Sequence, residues 1–221
     1  MVGGPPALGQ EERLLQATAR EFAQREVAPT AIERDETERF DRSIFTRMGE
    51  LGLTAAPIPE SEGGAGFSYL GWTLVMEELG AADMATAVTL SVHILSQLPV
   101  VTWGTDEQKT RWLPAMLAGD ALGAFALTEP HAGSDAAALR CAATKAGPEY
   151  PAGGYVISGS KSWVTHGGRA DFYTLFARTG DGSRGISCFL VPGDLPGLSF
   201  GKPEEKMGLH AVPTTAALAD L

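Results

Sequence analysis

The sequence is short of cysteine, of basic runs and of long apolar stretches. Its two cysteines, Cys141 and Cys188, are isolated and lack CxxC spacing, so they form no metal or redox motif, and Cys188 lies in an apolar run that predicts burial. With 27 acidic residues against 17 basic ones, the chain has no basic stretch that suits nucleic acid. No uninterrupted run of about 18 apolar residues is present to span a membrane, and residues 1–6 lack the basic head and apolar core of a signal peptide. We therefore expect a cytoplasmic protein that binds neither nucleic acid nor a membrane.

The periodicity of the apolar residues changes once, near residue 120. Before that point, apolar residues recur at helical spacing in three stretches: Leu14, Leu15, Thr18 and Phe22; Leu70, Leu74, Val75 and Leu79; Val88, Val92 and Leu95. Thr105 and Gln108 form a capping box that predicts the start of a further helix, and Gly119 predicts its end. The residues that this helix is expected to bury are Trp112, Leu113, Met116 and Leu117.

After Leu122, short apolar runs alternate with turns. Two such runs are Phe172 to Phe176 and Ile186 to Val191, and the turns fall at Gly153-Gly154, Gly167-Gly168, Gly180 to Gly182 and Pro192-Gly193. Runs at this spacing are typical of a β-sandwich or barrel. The sequence therefore predicts an α+β protein of two domains, with a helical domain over residues 1–120 and a β domain over residues 121–221.

Residues Ala126 to Asp135, with the sequence ALTEPHAGSD, form the first candidate motif. Alternation along a strand predicts that Thr128 presents its hydroxyl on one face while Leu127 packs on the other. Pro130 then ends the strand in a turn. The small residues Ala132 to Ser134 let the backbone approach a bulky anion, whose oxygens N–H groups and a hydroxyl can hold. An ordinary strand followed by a Gly-Ser turn is the structural alternative.

Residues Lys161 to Gly168, with the sequence KSWVTHGG, form the second motif. Trp163 and Thr165 are two residues apart, which predicts that both lie on one face of a strand. An indole beside a hydroxyl suits a flat heteroaromatic ring with polar edge atoms. The alternative is a tryptophan that packs in the core of the protein.

Together the two motifs resemble the signatures of the acyl-CoA dehydrogenase family, and the resemblance runs from about Glu12 to Leu221. Around Ser91-Val92-His93 it is to the short-chain, butyryl-type members. The resemblance implies the amino-terminal helical and middle β domains of a flavoprotein oxidoreductase of fatty-acid β-oxidation. Such an enzyme uses FAD to dehydrogenate an acyl-CoA thioester. It further implies electron-transfer flavoprotein as the acceptor and a homo-oligomer, a tetramer or dimer, for the full-length protein.

The resemblance also assigns roles to individual residues. It implies contacts with the flavin ring or its edge for Phe125, Leu127, Thr128, Trp163, Val164 and Thr165. Gly133 and Ser134 correspond to residues at the FAD pyrophosphate. Ser134 and Ser183 are implied on the substrate side, near the acyl-CoA chain and the CoA arm.

The sequence departs from the family pattern at four positions. Glu62 replaces an aromatic residue in the Pro59 to Gly66 segment, which we expect to be an interhelical turn and not a phosphate loop. His166 replaces the usual Asn after Thr165, where it is expected near the flavin. In the segment Pro203 to Thr215, which resembles a closing β hairpin, His210 stands for Arg and Val212 for Ser. The loss of the arginine fork is expected to weaken any anionic contact made there.

No catalytic residue is assigned to this chain. In the family the catalytic base lies in a carboxyl-terminal helical bundle that is absent here, while Glu129 and Asp135 are expected to stabilise turns and His93 to be a core histidine. We therefore expect the chain alone to be inactive. Two alternatives stay open: a flavoprotein of the same fold, such as an acyl-CoA oxidase or a monooxygenase relative, and a non-catalytic binding module.

Overall fold

The computed structural model describes residues 8–148 and 154–221. Within these residues a helical part precedes a β part. The helices are α1 (Gln10–Phe22), α2 (Ala28–Glu36), α3 (Arg42–Glu50), α4 (Tyr69–Ala82), α5 (Met84–Trp103) and α6 (Asp106–Leu117). The strands are β1 (Gly123–Ala126), β2 (Ala142–Lys145), β3 (Tyr155–Thr165), β4 (Phe172–Arg178), β5 (Ile186–Pro192), β6 (Leu198–Phe200) and β7 (Thr214–Asp220). The amino-terminal residues examined for a signal peptide, and Gly153 of the predicted turn, lie outside the described residues.

Local sequence signals set the helix ends. The Thr105 hydroxyl accepts a hydrogen bond from the Gln108 N–H at 3.2 Å, and the Gln108 side chain accepts one from the Thr105 N–H at 2.9 Å. This confirms the predicted capping box of α6. Gly119, with a φ of +76°, follows the end of α6 in the left-handed conformation that glycine adopts at low cost.

The helical core differs in part from the predicted apolar faces. Leu15, Phe22, Leu74 and Leu79 are buried as expected, but Leu14 is 69% exposed. On α5 the predicted stripe of Val88, Val92 and Leu95 is the less buried side of the helix. The buried side carries polar residues as well, since it includes Thr86, Thr89, His93, Ser96 and Gln97. The apolar periodicity predicted this helix correctly, but the face that it predicted to be buried is the more exposed one.

Helix α5 is long and apolar enough to cross a membrane by length and composition alone. However, 61% of the 18-residue apolar segment of this helix is buried inside the protein. A core helix passes the same test, and the contacts of α5 with the other helices and with β1 and β4 explain its apolar composition.

The strands form one mixed, curled sheet, a half-barrel. Its order is β1-β4-β2-β3-β7-β6, with β5 paired to β4. Strand β1 runs parallel to β4, whereas β4–β5, β2–β3, β3–β7 and β6–β7 are antiparallel. The predicted helical region followed by a β-barrel or sandwich is confirmed as this half-barrel.

One prediction about the β part was wrong. Cys188 is exposed and not in the core. The segment Pro203 to Thr215 connects the antiparallel strands β6 and β7, and the Glu204 N–H donates to the Thr214 carbonyl at 2.9 Å. It therefore forms the long connection of a β hairpin, as the resemblance implied, although only Thr214 and Thr215 of the segment belong to a strand.

Buried polar contacts join the helices to the sheet. The Gly123 N–H donates to His93 Nδ1 at 3.1 Å, and His93 Nε2 contacts the Met116 carbonyl at 2.9 Å. The Thr174 hydroxyl donates to the Ser96 carbonyl at 2.7 Å. His93 is therefore the core histidine that was predicted, and it fixes the position of β1 against α5.

Candidate functional site

The two sequence motifs lie side by side. Strand β1 ends at Ala126, so Leu127 and Thr128 lie just beyond it and the predicted strand alternation does not apply to them. The main chain of this segment is held by β3 instead. The Ser162 N–H donates to the Thr128 carbonyl at 2.8 Å, and Lys161 Nζ donates to the Leu127 carbonyl at 3.1 Å. These contacts place Thr128 next to the strand that carries Trp163.

A buried ion pair fastens the same junction. Lys161 Nζ lies 2.7 Å from Glu129 Oε1, and the two side chains are 1% and 2% exposed. The Glu129 carboxylate also accepts hydrogen bonds from the N–H groups of Arg140, at 2.6 Å, and Cys141, at 2.9 Å. Burial acts to raise the pKa of Glu129, but the bond from Lys161 and the two backbone bonds outweigh it and hold this pKa below its ordinary value.

The Glu129 side chain thus joins the segment before β2 to β3. Lys161 is a residue that sequence reasoning missed, because its burial depends on this long-range contact. The pair leaves Glu129 with its oxygens occupied and its charge compensated. It is therefore a structural carboxylate.

Trp163 has an unusual environment. Its side chain is 61% exposed and its φ is +59°, a conformation that L-residues other than Asn and Asp rarely adopt. The cause is a register shift in the β3–β7 ladder between Lys161 and Val164. The shift lies between Lys161 and Val164, and Trp163 and Thr165 flank the buried Val164 as the two more exposed residues of this stretch. The indole is turned outward at the bulge, so the alternative of a core tryptophan is wrong.

The remaining motif residues differ in exposure. Val164 is 1% exposed as a whole residue and belongs to the core of the sheet. Thr128, Thr165, Leu127 and Phe125 are all half-buried. Phe125 packs its ring against Phe176, with centroids 5.0 Å apart.

The turn after Glu129 exposes two small residues. Glu129 and Ala132 exchange both backbone hydrogen bonds, at 3.0 and 3.1 Å, which closes the turn. Gly133 and Ser134 follow on the surface. A Cβ added to Gly133 would meet nothing within 4 Å, and its φ is not in the left-handed region. Neither packing nor backbone conformation therefore requires glycine here, which favours a role in close approach of a ligand.

Arg178 links this turn to the loop that carries Ser183. Its guanidinium donates to the carbonyls of Ala137 at 2.6 Å and Leu139 at 3.0 Å, and also to the carbonyl of Gly182 at 2.8 Å. Ser183 itself is exposed. The structure thus brings the neighbourhoods of both substrate-side serines to one arginine, which sequence reasoning did not identify.

His166, which was expected near the flavin, does not lie on the surface where Trp163 is exposed. It is fully buried, its Nδ1 lies 2.8 Å from the Gly123 carbonyl, and its ring is 5.9 Å from that of Phe40. Burial lowers the pKa of His166 to about 4 and that of His93 to about 3, so both are neutral near pH 7. Gly123, the first residue of β1, is thus hydrogen-bonded through its N–H to His93 and through its carbonyl to His166.

The other sequence departures have local partners. Glu62 pairs with Lys109 at 2.6 Å, within an interhelical connection that contains a short helical turn at Glu60–Glu62, as predicted. His210 contacts Asp35 through Nδ1, at 2.9 Å from Oδ2, and the hydrogen bond with Asp35 raises the pKa of His210. A carboxylate is therefore paired at the position where the family pattern has arginine.

The two parts of this fold, a helical region and a half-barrel that carries both motifs, correspond to two family models. Residues 9–120 match the acyl-CoA dehydrogenase amino-terminal domain, and residues 124–220 match the acyl-CoA dehydrogenase middle domain. The chain belongs to the acyl-CoA dehydrogenase family.

Known proteins resemble it along nearly its whole length. It is 40% identical over 210 residues to the mitochondrial short-chain specific acyl-CoA dehydrogenase of Bos taurus, covering 94% of this chain and 50% of that protein. The butyryl-CoA dehydrogenase structure from Megasphaera elsdenii has a TM-score of 0.90 at 35% identity, covering 98% of this chain and 57% of that one. A glutaryl-CoA dehydrogenase from Mycobacterium smegmatis, solved in complex with FADH2, has a TM-score of 0.88 at 34% identity, covering 96% and 53%. The chain spans about half the length of the curated relatives it matches.

Proposed function

We propose that this chain supplies the amino-terminal and middle domains of an FAD-dependent acyl-CoA dehydrogenase that acts on a short acyl chain. The observation that carries the proposal is the junction of the two motifs, where the contacts of Lys161 and Ser162 set Thr128 beside Trp163. The family membership and the short-chain relative support the same reaction class.

The residues of the junction fit a flavin. An exposed indole held at a strained φ is of no use to the packing of this chain, and strained residues persist mainly where function requires them. Beside it, Thr128 and Thr165 offer hydroxyls and main-chain groups for the polar edge of a flat ring. Gly133 leaves open space, and Ser134 next to it offers an N–H and a hydroxyl, for the pyrophosphate.

In the proposed reaction, bound FAD would supply the hydride acceptor. The roles of this chain are then binding and orientation: Trp163 covers the ring and excludes water, and Thr165 donates a hydrogen bond near the reactive edge. Ser134 and Ser183 position the acyl-CoA, and Arg178, which donates to the carbonyls of Ala137 and Gly182, joins the segment after Ser134 to the Ser183 loop. Orientation of this kind supplies a large part of a catalysed reaction's rate.

We further propose that the base that removes the α-proton comes from outside residues 1–221. Glu129 is held by Lys161 and by two backbone N–H groups, so its lone pairs and its charge are already engaged. Asp135 is exposed on the turn. About half the length of the curated relatives has no counterpart in this chain. We also propose that the full-length protein is a homo-oligomer and that electron-transfer flavoprotein accepts its electrons.

The test is dye reduction with FAD and butyryl-CoA. The 221-residue chain is compared with a chimaera that adds the remaining half of the Bos taurus short-chain relative. We expect turnover in the chimaera only, and loss of that turnover with Thr165→Ala. Turnover by the 221-residue chain itself, abolished by changing one of its own carboxylates, would contradict the assignment. Reduced flavin that reacts rapidly with oxygen in place of the dye would favour an acyl-CoA oxidase.

A further inference from the structure

Strands β6 and β7 are joined by residues 201–213, and this connection has two parts. Its end is anchored in the helical part, since Ala211 and Val212 are buried and pack with Ala85 of α5. Its middle, the 205–209 loop, lies at the surface, where Met207 is fully exposed. His210 stands between this loop and the anchored end.

His210 makes three contacts at this point. Its backbone N–H donates to Asp35 Oδ1 of α2 at 2.9 Å, and its ring Nδ1 lies 2.9 Å from Asp35 Oδ2. Its ring Nε2 lies 2.6 Å from the carbonyl oxygen of Lys206, four residues earlier in the chain. The ring therefore joins α2 on one side to the 205–209 loop on the other.

Both ring contacts require a proton on the nitrogen. An ionised carboxylate and a carbonyl oxygen are acceptors only, and a neutral imidazole carries one N–H whereas an imidazolium carries two. The protonated ring can thus donate to Asp35 and to the Lys206 carbonyl together. The neutral ring can donate to only one of them, and the charged acceptor, Asp35, forms the stronger bond. Loss of the proton therefore removes the bond to the Lys206 carbonyl.

Charged side chains from several parts of the chain surround His210. Asp35 and Glu38 are the acids, and the hydrogen bond with Asp35 is the main reason why the pKa of His210 is raised. The pKa of Asp35 is lowered in turn, chiefly by its hydrogen bonds with His210 and to a smaller extent by the Lys206 ammonium. The basic side chains that line the cavity beside His210 are Arg39, Arg42, Arg169 and Lys206. Arg39 and Arg42 pair with carboxylates of their own. The contact with Asp35 outweighs these basic groups.

The residue type at this position decides how the contact responds to pH. The family pattern has arginine here, and arginine stays charged throughout the pH range in which proteins are folded. Histidine changes its charge between about pH 5 and pH 8. The histidine of this chain keeps a pairing with a carboxylate and makes its second contact dependent on pH.

We propose that His210 is a pH-sensitive switch that closes the 205–209 loop onto α2 when its ring is protonated and opens the loop when its ring is neutral. The bonds to Asp35 and the burial of Ala211 and Val212 hold the end of the connection in both states, so the change is confined to the loop. Because the pKa of His210 is raised, the closed form is complete below about pH 6.5 and is lost as the pH rises through the folded pKa.

NMR of the ¹⁵N-labelled 221-residue chain from about pH 5 to about pH 9 tests the switch. The ring nitrogens of His210 should titrate with a midpoint above the ordinary histidine value of about 6.5. The amide signals of Met207 and Gly208 should shift with the same midpoint. Their heteronuclear NOE should fall as the pH rises, because the opened loop moves more on the picosecond-to-nanosecond timescale.

Three variants separate the switch from a general effect of pH. His210→Arg, which stays charged, should keep these NOE values high at every pH. Asp35→Asn, which keeps an acceptor but removes its charge, should move the His210 midpoint down toward about 6.5. His131→Gln is the matched control, because it removes another partly exposed histidine, and it should leave the titration of the loop unchanged.

Either of two results would overturn the proposal. One is a His210 midpoint at or below about 6.5, or a midpoint that Asp35→Asn leaves in place. The other is a loop whose amide signals and NOE values do not follow the His210 titration, or change with pH in the same way in His210→Arg. Neither flavin nor acyl-CoA is added, so the outcome does not depend on the proposed function.

Discussion

Removing the Lys161 ammonium tests the junction that brings the two motifs together. Lys161→Met keeps the length of the side chain but removes the charge-assisted hydrogen bond of 2.7 Å to Glu129 and the bond to the Leu127 carbonyl. Glu129, with a side chain only 2% exposed, then carries an unpaired charge. Breaking one partner of a buried ion pair in this way costs about 3–5 kcal/mol. We expect urea denaturation at pH 7 to show a loss of this size in the free energy of unfolding.

The control is Lys109→Met, which breaks a more exposed pair with Glu62 of similar length, 2.6 Å. That change should cost no more than about 1 kcal/mol. The pH dependence gives a second check. In the unchanged chain the depressed pKa of Glu129 contributes stability above its unfolded pKa, and this stability is lost as the pH falls through the folded value. In Lys161→Met, Glu129 is protonated more readily, so the variant should lose less stability as the pH falls. The difference in free energy of unfolding between the variant and the unchanged chain should therefore narrow at acid pH. A Lys161→Met deficit no larger than the Lys109→Met deficit would refute the reasoning.

Three further predictions concern particular residues. His93 and His166 have folded pKa values of about 3 and about 4, below an unfolded value of about 6.5, so stability is full above that value and is lost as the pH falls. Because protonation favours the unfolded chain, each histidine should lower the free energy of unfolding at pH 5 by roughly 2 kcal/mol, measured by urea denaturation, and His166→Asn should reduce this pH dependence. A free energy of unfolding that stays constant from pH 7 to 5 would contradict this. Trp163→Gly should change the free energy of unfolding by no more than about 1 kcal/mol, since glycine tolerates the φ of +59°, yet weaken FAD binding in a fluorescence titration; unchanged affinity would count against the ring contact. Gly133→Ala should leave the melting temperature unchanged, because its Cβ meets open space, while weakening FAD binding; a marked loss of stability would show a structural role instead.

The predictions from sequence that the structure confirms depend on neighbouring residues. The capping box at Thr105 and the glycine after α6 depend on a few neighbouring residues, and both appear in the structure as predicted. The faces of the helices were less predictable, because burial depends on which neighbours a helix meets. On α5 the sheet and the other helices cover polar residues such as His93, which then find partners across the junction.

The site was predictable as a set of motif residues but not as a geometry. The bulge that turns Trp163 outward results from the pairing of β3 with β7, which lies about fifty residues further along the chain. Likewise, Lys161 and Arg178 act on carbonyls and carboxylates of the first motif that only the folded sheet brings near. Long-range pairing of this kind leaves no local pattern in the sequence.

The most direct test of the central claim, that the junction of the two motifs is the flavin surface, is an NMR titration of the ¹⁵N-labelled 221-residue chain with FAD. The chain has four tryptophans, and the Trp163 indole signal can be assigned by its absence in Trp163→Phe. We predict that FAD shifts the Trp163 indole signal and the amide signals of Thr128, Ser134 and Thr165. The Trp72 and Trp112 indole signals should stay in place. Shifts confined to other surfaces, or no shift at Trp163 at any FAD concentration, would contradict the account.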